Sequence, residues 1–369
     1  MTNIRAVLGL RGKIVERINR PGDDFRERLS RDDVERICQS HGLPAPSLVV
    51  PERRGNETVA YHLDHAYFLS FGLCDPTQRK VEVLRIFEHL ESMPSPRVIA
   101  WSERDSKLGV PYMIVEDCPG QRLDVLWGEC QPVEREELLE VLGSSMGRYH
   151  TTTIDQATAA AATAGFSQWV IDDTEPRYRR GRERRIEACR ALERLPERLA
   201  RWAVDGTSLT ALIEDHYAGR LPPPDAPFAG PGLIHTEPCA EHFLIERTGG
   251  TFRLSGCVDL EECAIADSLD EVVEMYVSML ALDVRYLSAF RKGYEQFHPF
   301  PADVEQRLEA GAVDHDLSSV LWLLDTMEER PEWSFATSWL SGHVRRLGGW
   351  LDERKGVTEA LFRKDIGPW

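Results

Sequence analysis

The sequence lacks a surplus of basic residues. Its 44 lysine and arginine residues are outnumbered by 61 aspartate and glutamate residues, which gives a formal net charge of −17 at pH 7. Phosphate backbones and anionic lipid headgroups attract basic surfaces, so this balance argues against a general nucleic-acid binder or a protein that binds anionic membranes. A neutral or cationic ligand fits the charge better.

The sequence also lacks the spacings of a zinc site and the features of an exported protein. None of its eight cysteines stands in a CxxC pair, and no Cys/His spacing resembles a zinc site, so we expect reduced thiols in the core. There is no apolar run of about 18 residues, and the first part of the chain carries scattered charges where a signal peptide would be apolar. These absences predict a cytoplasmic protein without a membrane partner.

What is present predicts an α+β protein of two lobes. A chain of 369 residues with 42% hydrophobic residues is longer than a typical domain, so two lobes around a cleft are expected. After the sequence Asp117-Cys118-Pro119-Gly120 the composition becomes mainly helical. We therefore predict an N-terminal lobe over residues 1–116, with leading helices and a small β-sheet, and a mainly helical C-terminal lobe over 117–369.

Local patterns place elements within these lobes. In the N-terminal part we predict a helix at 30–42, a β-hairpin within 48–71, a helix at 77–92, and strands at 97–101 and 111–115. In the C-terminal part, 136–150 is a strong amphipathic helix. Six arginines between 177 and 185 form the one basic concentration, which is either a solvated helix face or a patch for phosphate or an acidic partner.

The most informative stretch runs from Leu233 to Glu261. It consists of a short apolar segment, a polar loop with His235, Glu237 and His242, and a two-strand ribbon that ends at Asp259. Phosphoryl transfer needs a carboxylate near the acceptor hydroxyl and two groups that hold magnesium against the nucleotide phosphates, and a loop with an adjacent strand end can supply all three. The alternative is a chance cluster, in which His235 is a hydrogen-bonded structural residue and Asp259 a turn residue.

The spacing of this stretch resembles the aminoglycoside phosphotransferases and related small-molecule kinases. That family has His-Gly-Asp, four intervening residues and Asn before a strand, then an Asp after a second strand. The resemblance puts the structural His at His235, the catalytic Asp at Glu237, the metal-binding Asn at His242 and the second metal-binding Asp at Asp259. It implies a bilobal protein-kinase-like fold, ATP or GTP as co-substrate, and Mg²⁺, with Mn²⁺ as an alternative because a histidine nitrogen suits magnesium less well.

The same resemblance indicates a nucleotide site in the N-terminal lobe. Gly55 and Asn56 resemble a phosphate-approaching turn, although Gly-Asn is also an ordinary turn, and Glu82 stands where the family glutamate holds a phosphate-binding lysine. Ser70 occupies the place of that lysine, unless the strand register is shifted. Arg79 and Lys80 could supply charge from the helix instead. The backbone near Glu116 and Cys118 would face an adenine, or would simply end an edge strand.

The resemblance places the acceptor pocket in the C-terminal lobe. The nearest carboxylates that could line it are Glu261, Glu262 and Asp267, and further candidates that are each also compatible with a solvated face are Asp314, Asp316, Asp325, Glu328 and Glu329.

Three functions follow from these patterns. The first is an ATP-dependent phosphotransferase acting on a hydroxyl of a small molecule, with an aminoglycoside- or nucleoside-type antibiotic as the favoured acceptor, in resistance or self-resistance. A metabolic small-molecule kinase belongs to the same class. The third is a catalytically weak or inactive kinase-fold protein that binds a ligand or partner, which the substitutions at positions 70, 237 and 242 would explain.

Overall fold

The computed structural model describes most of the chain between residues 29 and 347. The described residues are 25, 29–52, 58–72, 77–90, 92–166, 203–204, 207–208, 231–261, 263–329, 342–343 and 346–347. The arginine-rich segment at 177–185 lies outside them, as do Gly55, Asn56 and Glu262.

The N-terminal part of the chain forms a five-stranded antiparallel sheet. One helix precedes the sheet, and another lies between its third and fourth strands in the chain. Helix α1 is Arg31–Ser40, and Ser30 begins it with a capping box in which Ser30 and Asp33 satisfy each other's backbone amides. The other elements are β1 (Val49–Glu52), β2 (Thr58–Leu63), β3 (Tyr67–Gly72), α2 (Thr77–Phe87), β4 (Val98–Ser102) and β5 (Tyr112–Glu116). The sheet has the order β1-β2-β3-β5-β4.

The remaining residues that the structure describes are mainly helical and include three small sheets. The elements are β6 (Gln121–Arg122), α3 (Leu123–Glu129), α4 (Pro132–His150), α5 (Ile154–Thr163), β7 (Ala203–Val204), β8 (Thr207–Ser208), β9 (Pro231–Ile234), β10 (Phe243–Thr248), β11 (Thr251–Cys257), β12 (Ala264–Asp267), α6 (Ser268–Ser278), α7 (Val284–Tyr294) and α8 (Val304–Glu329). Strand β6 pairs with β10, which pairs with β11; β9 pairs with β12, and β7 with β8.

The fold is therefore the predicted α+β arrangement of an antiparallel sheet followed by helices, and the separate elements also match the sequence patterns closely. The hairpin predicted within 48–71 is a three-stranded meander, since a further strand, β1, pairs with β2. The chain leaves the first sheet at Glu116 and joins the second at Gln121, where the lobe boundary is predicted to fall. The division into two lobes stays a prediction.

The two faces of β3 contact different cores. Leu69 and Phe71 are fully buried in a core with Ile37 of α1 and Ile114 of β5. Side chains alternate along a strand, so Ser70 lies on the opposite face, together with Phe68, which packs against the larger core of the helical part. Ser70 is thus on the side of the sheet that faces away from α1.

Two further results concern cysteines and membranes. All six cysteines that the structure describes are free thiols, four of them buried, in agreement with the prediction. No helix among the described residues is both long enough and apolar enough to cross a lipid bilayer.

Helices α4 and α7 pack so closely that only glycine fits at their contact. A Cβ atom on Gly293 would lie 1.9 Å from the carbonyl oxygen of Glu140, and one on Gly143 would lie 2.2 Å from that of Phe290. We expect Gly293→Ala to lower the free energy of unfolding by about 3 kcal/mol, because the obstructing atoms are backbone. Urea unfolding would measure this.

Gly128 in α3 is the matched control, because a Cβ atom there meets no atom within 4 Å. Gly128→Ala should raise stability by up to about 1 kcal/mol through helix propensity alone. Equal effects of the two substitutions would show that the close contact between α4 and α7 is wrong.

Candidate active site

The predicted site residues that follow β9 and β11 come together in space. His235 follows β9, His242 ends a short 3₁₀ turn before β10, and Asp259 follows β11. Pairing of β10 with β11 sets Phe243 opposite Cys257 and brings the ends of both strands to one edge. As a result, Nε2 of His242 lies 3.2 Å from Oδ2 of Asp259. The two predicted metal ligands are neighbours.

Two residues of this edge have left-handed backbone conformations. Thr236 has a φ of 69° and Asp259 a φ of 65°. Asp tolerates this region better than most residues, but a β-branched threonine rarely occupies it. Such strain clusters at sites where the surrounding structure requires a particular geometry. A signal for Thr236 was available in the sequence, because the family motif has a glycine at this position.

The strain at Thr236 can be measured. We expect Thr236→Gly to be more stable than Thr236→Ala by about 1 kcal/mol, because an L side chain in the left-handed region costs about 1–2 kcal/mol that glycine avoids. In a helix the order is the reverse, with alanine favoured by about 1 kcal/mol. Thermal or urea unfolding of the two variants would decide, and a more stable alanine variant would contradict the left-handed assignment.

His235 is buried and hydrogen-bonded, which suits the structural role predicted for it. Its Nε2–H donates to the carbonyl oxygen of Val258 (2.8 Å), so this residue connects the β9 loop to the end of β11. Its ring stacks on that of His242, with centroids 5.4 Å apart and 12° between the planes. Burial lowers the pKa of His235, which keeps the ring neutral.

A hydrogen bond to a carbonyl fixes the tautomer of His242. Its Nδ1 lies 2.8 Å from the carbonyl oxygen of Glu237, and a carbonyl can only accept, so Nδ1 carries the proton. The other nitrogen, Nε2, is the one that faces Asp259. The Glu237 side chain is exposed on the same loop. The loop therefore brings the backbone of Glu237 to the imidazole of His242, and the carboxylate of Asp259 reaches the same edge from the end of β11.

Two basic residues of α2 reach the loop that follows Asp259. Nζ of Lys80 lies 2.6 Å from Oε1 of Glu261 and 3.8 Å from Oδ1 of Asp259. Nε of Arg79 donates to the carbonyl oxygen of Glu261 (3.3 Å). Burial raises the pKa of Glu261, and the neighbouring charge of Asp259 acts in the same direction while Lys80 opposes it. Helix α2 thus brings cationic groups to the candidate metal carboxylate.

Ser70 and Glu82 stand where the family has its lysine and glutamate, and these two side chains do not form a pair. Ser70 is buried in the centre of the sheet, opposite Ala60 on β2 and Met113 on β5. Glu82 accepts a hydrogen bond from Gln78 on its own helix (2.8 Å). Shifting the register of β3 would not help, because the strand Tyr67–Gly72 contains no basic residue.

The segment after β5 contains backbone groups that are open to a ligand, and Cys118 is the clearest case. Glu116 N–H donates to the carbonyl oxygen of Arg97, and Asp117 N–H donates to that of Ala66. Within the described residues, the N–H and C=O of Cys118 make no hydrogen bond. Its side chain packs against Gly256 of β11, where a Cβ atom would lie 2.7 Å from the Cys118 sulfur.

His62 connects this segment to the sheet as a charged group. Its Nδ1 lies 2.7 Å from Oδ2 of Asp117, and its Nε2 lies 3.5 Å from Oε2 of Glu52. The hydrogen bonds with Asp117 and Glu52 raise the pKa of His62 from 6.5 to about 9. The imidazolium form is therefore favoured in the folded protein at neutral pH.

A raised pKa in the folded state predicts a loss of stability at high pH. The contribution of His62 is fully present below pH 6.5, its unfolded value, and is lost as the pH rises through about 9. We expect this loss to be about 1 kcal/mol, since the ion pairs are partly solvent-exposed and screened. The free energy of unfolding, measured between about pH 6 and 10, should decline less for His62→Gln than for the unaltered protein. Identical slopes for the two proteins would contradict the raised pKa of His62.

Among the acidic residues proposed for the acceptor, two have structural partners. Asp267 is buried and caps α6 by accepting a hydrogen bond from Leu269 N–H (3.0 Å), which favours a structural role over contact with an acceptor. Asp316 is fully buried and paired with Arg346 and His343 at 2.8 Å each, so it is not a solvated or substrate-facing carboxylate. Glu261 lies beside Asp259, and the two carboxylates share the ammonium group of Lys80.

Below the loop lies a buried carboxylate for which the sequence did not predict a role. Oε2 of Glu271 accepts hydrogen bonds from His235 N–H (2.7 Å) and His150 Nε2 (3.0 Å), and Oε1 accepts from the hydroxyl of Tyr149. Nδ1 of His150 in turn lies 2.6 Å from the hydroxyl oxygen of Tyr294. This network fixes the start of the candidate catalytic loop from inside the core.

The two predicted metal ligands, His242 and Asp259, are the side chains that this edge offers to a cation. In the part of the chain that the structure describes, no group of three or more His, Cys, Asp or Glu side chains is placed to hold a metal ion. Two protein ligands suit magnesium, which retains waters and takes its other ligands from substrate phosphates. A structural metal site is not supported among these residues.

Comparison with known proteins agrees with this geometry. The model of the phosphotransferase enzyme family (APH) matches residues 49–309, which include every residue of the site just described. No curated protein sequence matches the chain significantly.

Solved structures of the same architecture are distant in sequence. The GDP and kanamycin complex of APH(2")-IIia has 16% identity and a TM-score of 0.58, covering 85% of this chain and 96% of that one. The streptomycin-ATP-APH(2")-IIa ternary complex has 15% identity and a TM-score of 0.53, covering 86% and 98%. A choline/ethanolamine kinase family protein from Mesorhizobium loti has 15% identity and a TM-score of 0.50, covering 91% and 98%. At these identities the similarity shows the fold.

The family match covers well over half of the chain, and the structure has the antiparallel sheet and helical region of the protein-kinase-like fold. The chain belongs to the phosphotransferase enzyme family, and it is a small-molecule phosphotransferase.

Proposed function

We propose that the protein transfers the γ-phosphoryl group of ATP or GTP to a hydroxyl of a small molecule, with an aminoglycoside- or nucleoside-type antibiotic as the favoured acceptor. The observation that carries this proposal is that the loop with Glu237 and His242 meets Asp259 at one edge, where the side chains of His242 and Asp259 are 3.2 Å apart. Phosphoryl transfer depends mainly on positioning and charge stabilisation, and such an edge can supply both.

Glu237 is the proposed catalytic residue. Its carboxylate orients the acceptor hydroxyl and takes up its proton as the hydroxyl oxygen forms a bond to the γ-phosphorus. The bond between that phosphorus and the β,γ-bridging oxygen breaks, and the nucleoside diphosphate leaves with the electron pair. Glutamate is one methylene longer than aspartate, but its exposed position on the loop leaves room for an acceptor.

The donor set on this edge fits a divalent cation. In the neutral imidazole, a proton on Nδ1 of His242 leaves the lone pair that a metal needs on Nε2, which faces the Asp259 carboxylate. Mn²⁺ accepts a nitrogen ligand more readily than Mg²⁺ does, so both ions are candidates. When bound, such an ion neutralises the negative charge of the phosphate groups.

The nucleotide would lie between the sheet and this edge. The unpaired backbone groups of Cys118 can donate to and accept from an adenine or guanine, and Glu116 precedes them at the end of β5. Gly55 and Asn56 remain proposed phosphate contacts, and they lie outside the described residues.

The acceptor is proposed from charge and from the ligands of structural neighbours. The net charge of −17 favours a cationic compound, and the complexes of two neighbours contain kanamycin and streptomycin. Resistance or self-resistance would follow from phosphorylation of such a compound. Glu261 is one proposed acceptor carboxylate, and Glu262, which lies outside the described residues, is the other.

A panel assay tests the proposal. Aminoglycosides, nucleoside antibiotics, choline, homoserine and simple sugars would be incubated with the protein, ATP or GTP, and Mg²⁺ or Mn²⁺, and analysed by mass spectrometry. We expect one class to gain the mass of a phosphoryl group, in a reaction that chelation by EDTA stops. A protein that binds nucleotide but modifies no hydroxyl compound in the panel would count against the transferase activity proposed here.

A further inference from the structure

The sheet that would cover the nucleotide has one cationic side chain, His62, and it is already paired with Asp117 and Glu52. The strands of the first sheet, 49–52, 58–63, 67–72, 98–102 and 112–116, contain no lysine or arginine. The α- and β-phosphates of a nucleotide carry negative charge that a nearby ammonium group ordinarily neutralises. At the place where the resemblance expects this ammonium, the strand has Ser70, which is buried and uncharged. The compensating charge must come from another element.

Helix α2 has a lysine in a suitable position. Lys80 is in the first turn of this helix, and its side chain is only 14% exposed. Its ammonium group lies 2.6 Å from Oε1 of Glu261 and 3.8 Å from Oδ1 of Asp259. A lysine this far out of water needs a negative partner, and here the partners are the candidate metal ligand and its neighbour. Its burial and its two acidic partners distinguish Lys80 from a lysine that forms an ordinary ion pair on an exposed surface.

A second contact holds the same turn of the helix in place. Nε of Arg79 donates to the carbonyl oxygen of Glu261, so two consecutive basic residues bind the loop after Asp259. These contacts join residues about 180 positions apart in the chain and bring α2 to the candidate catalytic edge. The ammonium group therefore lies where nucleotide phosphates would meet the metal ligands of the proposed function.

We propose that Lys80 is the phosphate-binding cation of this protein, supplied by α2 in place of a lysine on β3, and that Glu261 holds it when no nucleotide is bound. The inference rests on the proposed function. Lysine has a flexible four-carbon stem and three donors, so it can turn from one carboxylate oxygen to a phosphate oxygen with a small movement. In this arrangement Glu261 is the partner of Lys80 in the nucleotide-free protein.

The test compares ligands that differ in their phosphates. Affinities for ATP, ADP and adenosine would be measured by calorimetry or competition with Mg²⁺ present, for the full-length protein and for Lys80→Met. Methionine keeps most of the aliphatic stem and removes the charge. We expect ATP and ADP to bind about 10- to 100-fold more weakly to the variant, as is typical when a charged hydrogen bond is lost. Adenosine, which has no phosphates, should bind equally well.

Two further variants separate charge from structure. Lys80→Arg should retain most of the ATP affinity, because it restores a cation on a stem of similar length. Arg85→Ala removes an exposed cation from the same helix and should change no affinity. If Lys80 only joined α2 to the loop, Lys80→Met would weaken adenosine and ATP alike.

The outcomes also distinguish this inference from the proposed function. If the unaltered protein transfers phosphate and Lys80→Met binds ATP as tightly as before, the inference fails and the function stands. If the unaltered protein binds ATP no better than adenosine, no phosphate-binding cation exists and the inference fails. If it binds no nucleotide at all, both fail.

Discussion

Replacing Asp259 with Asn is expected to lower the rate of phosphoryl transfer by about 10³-fold while the protein stays folded. Asn is the right substitution because Asp259 has a φ of 65°, and Asn tolerates the left-handed region about as well as Asp does. Alanine would add backbone strain to the loss of charge. Charge stabilisation at a metal-assisted site is worth several kcal/mol, and each ~1.4 kcal/mol is about tenfold in rate.

The control for this prediction is Asp155→Ala, an exposed carboxylate in the first turn of α5. It should change neither rate nor nucleotide affinity. Rates would be measured with the acceptor that the panel identifies, or as slow nucleotide hydrolysis, and unfolding would be measured in parallel. A rate for Asp259→Asn within threefold of the unaltered protein (about 0.6 kcal/mol) would remove Asp259 from the mechanism.

Replacing Glu271 with Ala is expected to cost about 3–5 kcal/mol of stability, which is the usual range for removing one partner from a buried charged network. The carboxylate is only 1% exposed and accepts hydrogen bonds from Tyr149, His150 and the backbone of His235. Its loss leaves these donors buried without an acceptor. Urea unfolding would measure the change, and a thermal scan would show a lower midpoint.

Glu271→Gln and Glu137→Ala are the controls. Glutamine keeps an acceptor oxygen, so its cost should be smaller than that of alanine. Glu137 is exposed on α4, and its replacement should change stability by no more than about 0.5 kcal/mol. If Glu271→Ala were as mild as Glu137→Ala, the network around His235 would not be as the structure has it.

Much of the fold and the main site could be predicted from local patterns. Ser30 and Asp33 form the capping box that their spacing suggests, and α1 follows. The segment from His235 to Asp259 encodes a loop and a two-strand ribbon, and a ribbon necessarily returns the chain to its starting edge. Because strand pairing fixes distances, the spacing of His242 and Asp259 was enough to make them neighbours.

Contacts between distant segments could not be predicted in this way. The sequence indicates Lys80 as a source of positive charge. Only the packing of α2 against the loop after β11 brings its ammonium nitrogen within 2.6 Å of the Glu261 carboxylate. Likewise, Asp316 has the appearance of a surface carboxylate until Arg346 and His343 are placed beside it. The acidity of a segment does not show which of its carboxylates will be buried, because that depends on the partners that folding supplies.

The nucleotide titration is the most direct test of the claim that this edge is a phosphotransferase site. Calorimetry and thermal shift would be carried out with ATP and with GTP, each in the presence of Mg²⁺ or Mn²⁺. We predict saturable binding of at least one nucleotide, strengthened by the metal and weakened by Asp259→Asn. No heat of binding and no thermal shift with either nucleotide and either metal would contradict the account.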